Sequence, residues 1–253
     1  MKILGIESAA LTASVAIVTD GLLTAEYTLN HKKTHSQTLL PMLDEISRMA
    51  ELDKGDIDAV AVSAGPGSFT GLRIGAATAK GLGLALGCPL VAVPTTAALA
   101  YNLWGSEALL CPIMDARRNQ VYNGLYRCSE RLKTLVPARA LSVTELLKEL
   151  NQRGERVIFL GDGVPVLRES AEATLQIPYS FAPAHMSSQR AASVAALGAE
   201  LFQTGDVVEA AAFSPDYLRL SQAEREREEA VRLSAERELA AGIAPSKLGK
   251  RGR

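Results

Sequence analysis

Apolar positions along the chain fall into short runs of two kinds, and their alternation sets the order of elements. Residues 2–6, 14–18 and 22–28 are rich in β-formers and predict three strands, with Asp20-Gly21 as a tight hairpin turn between the second and third. Leu39, Leu43, Ile46 and Ala50 then recur at helical spacing, widened by Leu40 and Met49, with Thr34 or Ser36 placed to cap the helix. A fourth strand is predicted over 57–63 and a helix over 71–86, followed by a strand at 90–93 and a helix at 95–103.

The same order then starts again. Strands are predicted at 109–115, 120–127 and 132–136, and a helix at 142–152 opens with the capping box Ser142-Val143-Thr144-Glu145. A strand at 157–160 ends in Gly161-Asp162-Gly163, and a short helix, an irregular apolar segment and a long helix at 188–202 follow. Two copies of one mixed topology predict an α/β protein of two duplicated ribonuclease-H-like lobes. The first lobe is expected over 1–103, completed by 212–241, and the second over 104–211. Residues 221–241, rich in Glu, Arg and Ala, read as a solvated helix, and 242–253 as a disordered tail.

The stretch 64–87 stands out within this pattern. Gly65, Pro66, Gly67, Ser68 and Gly71 form a structural loop between strand and helix, and Ser68 or Thr70 can cap the helix. Gly75, Ala79 and Gly83, four apart, make a smooth strip, and interior glycines at 75, 81 and 83 point to close packing, because each costs about 1 kcal/mol in a helix. The strip suits packing on a sheet, and one face of the helix suits a partner's helix. The loop matches neither the dinucleotide fingerprint nor the P-loop: its glycines are spaced one residue too far, and Lys80 lacks the preceding glycines.

Composition removes several classes. A net charge of −1 over 253 residues gives no support for a nucleic-acid binder acting alone. Cys88, Cys111 and Cys128 lack metal-like spacing and read as reduced thiols of a cytoplasmic protein. Pro89 and Pro94 interrupt the uncharged stretch 81–106, and Glu7 interrupts the apolar N-terminus, so neither a membrane span nor a signal peptide is expected. His31 and His35 are four residues apart but flank the start of a helix, so a metal site would need further ligands from distant residues; His185 reads as a loop residue, and no nucleophile elbow surrounds Ser8, Ser63 or Ser68. Asp115-Ala116-Arg117-Arg118 reads as a strand end with a local ion pair. In two-lobed ATPases each lobe's first turn carries glycine where backbone meets phosphate; Ile6-Glu7-Ser8-Ala9-Ala10 and Met114-Asp115-Ala116-Arg117-Arg118 carry none.

The run AVAVSAGPGSFTGLRIG at 59–75 resembles the bacterial TsaB (YeaZ) family of tRNA threonylcarbamoyladenosine biosynthesis proteins. His35-Ser36 with Leu39-Leu40-Pro41-Met42, Ala79-Lys80-Gly81-Leu82, Asp115 to Arg118 with Val121-Tyr122, and Tyr217-Leu218-Arg219 support the resemblance, which spans about residues 1–220. It implies the actin and sugar-kinase type of fold and a degenerate paralogue of TsaD, the threonylcarbamoyl transferase subunit. Where TsaD carries a metal-binding His-x-x-x-His, this chain has Thr95 and Leu99. The resemblance therefore implies a scaffold with no activity, catalytic residue or metal of its own. By the same resemblance it would bind TsaD through N-terminal helices, admit the ATPase TsaE and tRNA to the complex, and self-associate in isolation. On this chain the interface would use Leu39, Leu40, Leu43, Arg73, Ala77, Lys80 and Leu84, with no cofactor held alone and ATP or ADP at the complex interface. A small-molecule kinase or peptidase-like enzyme of the same fold is the alternative.

Overall fold

The computed structural model describes residues 1–31, 34–117 and 119–218, and residues 1–218 form one compact unit. The solvated helix and disordered tail expected beyond 220, and Arg118, lie outside the described residues.

The first sheet is built from β1 (Lys2–Glu7), β2 (Thr12–Thr19), β3 (Leu22–Asn30), β4 (Ala59–Gly65) and β5 (Leu90–Pro94), in the order β3-β2-β1-β4-β5. β1 pairs antiparallel with β2 and parallel with β4, as in a ribonuclease-H-like unit. Asp20 and Gly21 both have positive φ, which turns the β2–β3 hairpin tightly. The second sheet repeats the plan with β6 (Ser106–Asp115), β7 (Gln120–Cys128), β8 (Leu132–Ser142), β9 (Val157–Leu160) and β10 (Tyr179–Phe181), in the order β10-β9-β6-β7-β8. The two-lobed α/β architecture read from the sequence is the one observed.

Strand periodicity distributes the core into three layers. On β4, Val60 and Val62 face α1 (His35–Met49) and α2 (Phe69–Leu86), while Ala59 and Ala61 face the middle of the molecule. The middle layer holds α3 (Thr95–Tyr101) and α7 (Ala191–Gln203) between the sheets, with Leu110, Met114 and Tyr126 closing it from the second sheet. Behind that sheet α4 (Val143–Arg153) and α5 (Val164–Thr174) bury Leu146, Leu147, Leu150 and Leu167. The four-residue α6 (Ala184–Ser187) contains His185.

Three elements differ from expectation. β8 continues to Ser142, where the capping box starts α4 with both reciprocal bonds formed. The segment expected to be irregular contains β10, which pairs parallel with β9. The return to the first lobe comes earlier than residue 212, because α7 lies across β1, β2, β4 and β5. Small residues permit that crossing: a Cβ on Gly198 would sit 2.5 Å from the Ala61 Cβ, and one on Gly5 would meet the Ala191 carbonyl at 2.6 Å.

Candidate functional site

The loop before α2 is held by its backbone. Ser68 caps the helix, its Oγ accepting from the Gly71 amide at 3.3 Å, and Gly87 ends it with φ 66°. Gly65 has φ 130°, and a Cβ there would overlap the Asp216 carbonyl oxygen. Gly67 and Gly71 likewise seat the loop against Ala9 and Ser8, and the Ser68 amide donates to the Ala9 carbonyl at 2.6 Å.

α2 packs through its small-residue strip. Gly75 lies against the Ser8 hydroxyl, Ala79 is fully buried, and a Cβ on Gly83 would meet Leu90 at 2.8 Å and Ala210 at 2.9 Å. Gly81 departs from the expectation for the three glycines: nothing lies within 4 Å of its Cβ position, which is open to solvent.

A strap of residues 208–217 runs beside α2. It starts at an antiparallel bridge between Val208 and Leu90, with both amide–carbonyl bonds at 2.9 Å, and buries Phe213. The Asp216 amide donates to the Ala64 carbonyl at 2.7 Å. Tyr217 then reaches Phe69, with ring centroids 4.9 Å apart, and the Arg73 guanidinium lies 3.9 Å over the other ring of that pair, Phe69.

The residues expected at a partner surface therefore divide. Arg73, Ala77 and Leu84 lie on the outward face of α2, with Leu84 64% exposed. Lys80 is half-buried, and its Nζ donates to the Ala211 and Phe213 carbonyls at 2.9 and 3.1 Å, so its charge serves the strap. On α1 the expectation needs correction: Leu39 and Leu43 are 1% and 6% exposed and belong to the core with Val15 and Ile17. Residues four apart share a helix face, and this one meets the sheet; Leu40, one step round, is 60% exposed. Thr34 occupies the N-cap of α1, but its hydroxyl accepts from the Ser36 hydroxyl at 3.4 Å and caps no backbone amide.

Between the lobes, the first turns of the two repeats close on themselves in the same way. Glu7, at the end of β1 and 1% exposed, accepts the Ala9 amide at 2.6 Å and the Ser63 hydroxyl at 3.3 Å. Asp115, at the end of β6, accepts the Arg117 amide at 2.7 Å and pairs with its guanidinium at 3.2 Å. In each turn a carboxylate takes the amide two residues on, so that donor is not free for a phosphate. Burial pushes the Glu7 carboxyl up to about 7, against the opposing bonds from Ala9 and Ser63 and with reinforcement from Asp162. Asp162 in turn accepts from the Gln189 side-chain amide at 2.7 Å. The glycine deficit of both turns is visible in the sequence, whereas this capture of their amides depends on three-dimensional placement.

Thr95 and Leu99 on α3 are buried, Thr95 accepting the Gly65 amide at 3.2 Å and Leu99 packing beside Gly161. Among the described residues no cluster of three or more His, Cys, Asp and Glu side chains could hold a metal ion, and no helix is long and apolar enough to cross a membrane. His35 Nε2 lies 2.8 Å from the Ala10 carbonyl. Cys88, Cys111 and Cys128 are free and buried.

The family model described as TsaD, tRNA N6-adenosine threonylcarbamoyltransferase, matches residues 23–227. The tRNA threonylcarbamoyladenosine biosynthesis protein TsaB of Bacillus subtilis is 32% identical over 225 residues, which cover 88% of this chain and 96% of that protein. TsaB of Escherichia coli is 38% identical over 133 residues, 51% of this chain and 57% of that protein. Among solved structures, a Pseudomonas aeruginosa protein described as having similarity to peptidase YEAZ superposes with a TM-score of 0.74. It is 25% identical, and the match covers 86% of this chain and 99% of that one. YeaZ from Pseudomonas aeruginosa gives a TM-score of 0.71 at 24% identity with the same coverage.

Proposed function

The chain belongs to the TsaB family of tRNA threonylcarbamoyladenosine biosynthesis proteins, and we propose that it serves that modification as a non-catalytic scaffold for TsaD. The observation that carries this reading is the closure of both turns. A phosphate-handling turn needs free amide donors, and here Glu7 takes the Ala9 amide while Asp115 takes that of Arg117. The buried Thr95 and Leu99 support the same reading, since neither side chain supplies the imidazole nitrogen that a transferase metal would take. The scaffold's contribution is then a surface: α2 packs inward through Gly75, Ala79 and Gly83 and leaves Arg73, Ala77 and Leu84 outward, with Leu40 open on α1. A helix pair from TsaD would pack on these two helices, and TsaE and tRNA would join the assembled pair in the cytoplasm. In isolation the same surface would bring two copies together.

The test is complex formation with TsaD of the same organism, followed by light scattering and titration, for wild type and Ala77→Arg. Ala77 is exposed, so the larger side chain leaves the core intact while blocking helix approach. The wild type forms a heterodimer, and the variant, with unchanged circular dichroism, weakens it by about 100-fold, which corresponds to roughly 2.7 kcal/mol. A wild type that ignores TsaD overturns the scaffold reading; a variant that binds normally overturns the place of α2 in it.

A further inference from the structure

α2 holds two charges, both positive, and no acidic residue. Lys80 is turned to the strap carbonyls. Arg73 is exposed, and no carboxylate lies within ion-pair distance of it among the described residues. Its guanidinium is nevertheless not left to wander: it lies 3.9 Å over Phe69, and Phe69 is backed by Tyr217 from the strap. Stacking on an aromatic face reduces the freedom an arginine loses when it binds, while its forked donors stay available. Two turns further along the outward face stands Gly81, which has nothing within 4 Å of its Cβ position. A helix-interior glycine weakens the helix, and at Gly81 no contact within the described chain requires it. Arg73, Ala77, Gly81 and Leu84 lie at successive steps of four, four and three, and so share one face of α2.

We propose that this face receives a partner helix whose backbone crosses α2 at Gly81 and which carries an Asp or Glu side chain opposite Arg73. Gly81 admits the close crossing, Ala77 and Leu84 supply apolar contact on either side, and the stacked guanidinium selects for a carboxylate by a two-pronged bond. The inference rests on the scaffold reading and names the chemistry of its surface: the transferase subunit would present a helix that is small or apolar at the crossing and acidic one or two turns away.

Affinity for TsaD is measured at 50 and 300 mM NaCl for wild type, Arg73→Gln, Arg73→Lys, Gly81→Ala and Gly81→Leu, with the thermal midpoint of each chain alone. Wild-type affinity falls with salt; Arg73→Gln binds at least about 10-fold more weakly at low salt and loses most of that salt dependence. Arg73→Lys recovers only part of the affinity, lacking the planar fork. Gly81→Ala raises the midpoint by about 2–4 °C while weakening the complex, and Gly81→Leu weakens it further. Opposite effects on stability and binding would separate an interface glycine from a structural one. Arg73→Gln with wild-type affinity and salt response, or Gly81→Leu with wild-type affinity, overturns the inference and leaves the scaffold reading standing. A wild type that does not bind TsaD overturns both.

Discussion

Glu7 is the residue whose chemistry departs furthest from what its place in the sequence implies. It ends a strand beside a turn, where a carboxylate would ordinarily reach water, yet it is buried with its carboxyl pushed up to about 7. An acid whose folded-state value exceeds its unfolded one stabilises the fold below the unfolded value, and that contribution is lost as pH rises through the folded value. For Glu7 the window runs from about 4.5 to about 7. Between pH 5 and pH 8 its ionisation costs about 2–3 kcal/mol of stability. Glu7→Gln keeps an oxygen to accept from Ala9 and Ser63 and removes the titration. Urea unfolding at pH 5, 6, 7 and 8 therefore shows the variant gaining on wild type as pH rises; parallel curves would mean that Glu7 titrates normally. Glu7 could be located from sequence as the first-turn acid of its lobe, but its burial could not, because Ser63 on β4 and the charge of Asp162, in the turn after β9, act on it from far along the chain.

At the scale of elements, local chemistry made some features legible and long-range pairing hid others. The capping box at Ser142 and Glu145, the Asp20-Gly21 hairpin and the Ser68 cap need only neighbours a few residues apart. β10 and the strap are stabilised by partners far along the chain, and their composition carries no period of its own. The small-residue strip was legible at Gly75 and Gly83, whereas Gly81 differs from them only in the direction it faces. The strap also shows how one side chain can govern an element. Lys80 donates to two strap carbonyls, and bonds from a charged donor contribute about 1–3 kcal/mol each when buried and less at a half-exposed site. Lys80→Met retains the apolar stem and removes both bonds. Hydrogen exchange of the Val208 and Asp216 amides, which are bonded to Leu90 and Ala64, then accelerates by roughly 5- to 10-fold through local opening, while amides in β1 and β4 hold their rates. Uniform acceleration across the first sheet would show that Lys80 supports the whole lobe instead.

For the whole molecule, duplication preserved the architecture while its two central turns closed. Both sheets keep the same strand order, and both repeats end their first strand in an acid that binds the amide two residues on. In a protein that grips a nucleotide between two lobes, those turns face the phosphates with free donors; here an anion entering the cleft would compete with Glu7 and Asp115 for the same amides and would also meet their carboxyl groups. The lobes are further tied to one another. Thr96 bonds Tyr126 at 2.8 Å across the middle layer, and the Asn102 amide donates to the Met186 and Ser188 carbonyls at 2.9 and 2.8 Å. Opening the cleft would break these bonds as well as the turns. A ligand at ten times its dissociation constant stabilises a fold by about 1.4 kcal/mol, which for a chain of this size moves the thermal midpoint by roughly 3–6 °C. The expected result for this chain alone is no shift at millimolar ADP with magnesium. Replacing both acids, as in Glu7→Gly with Asp115→Gly, frees the amides and gives the cleft its best chance to bind. A midpoint that rises with ADP in the wild type would show that the turns open at little cost, and the reading of this cleft as closed would fail.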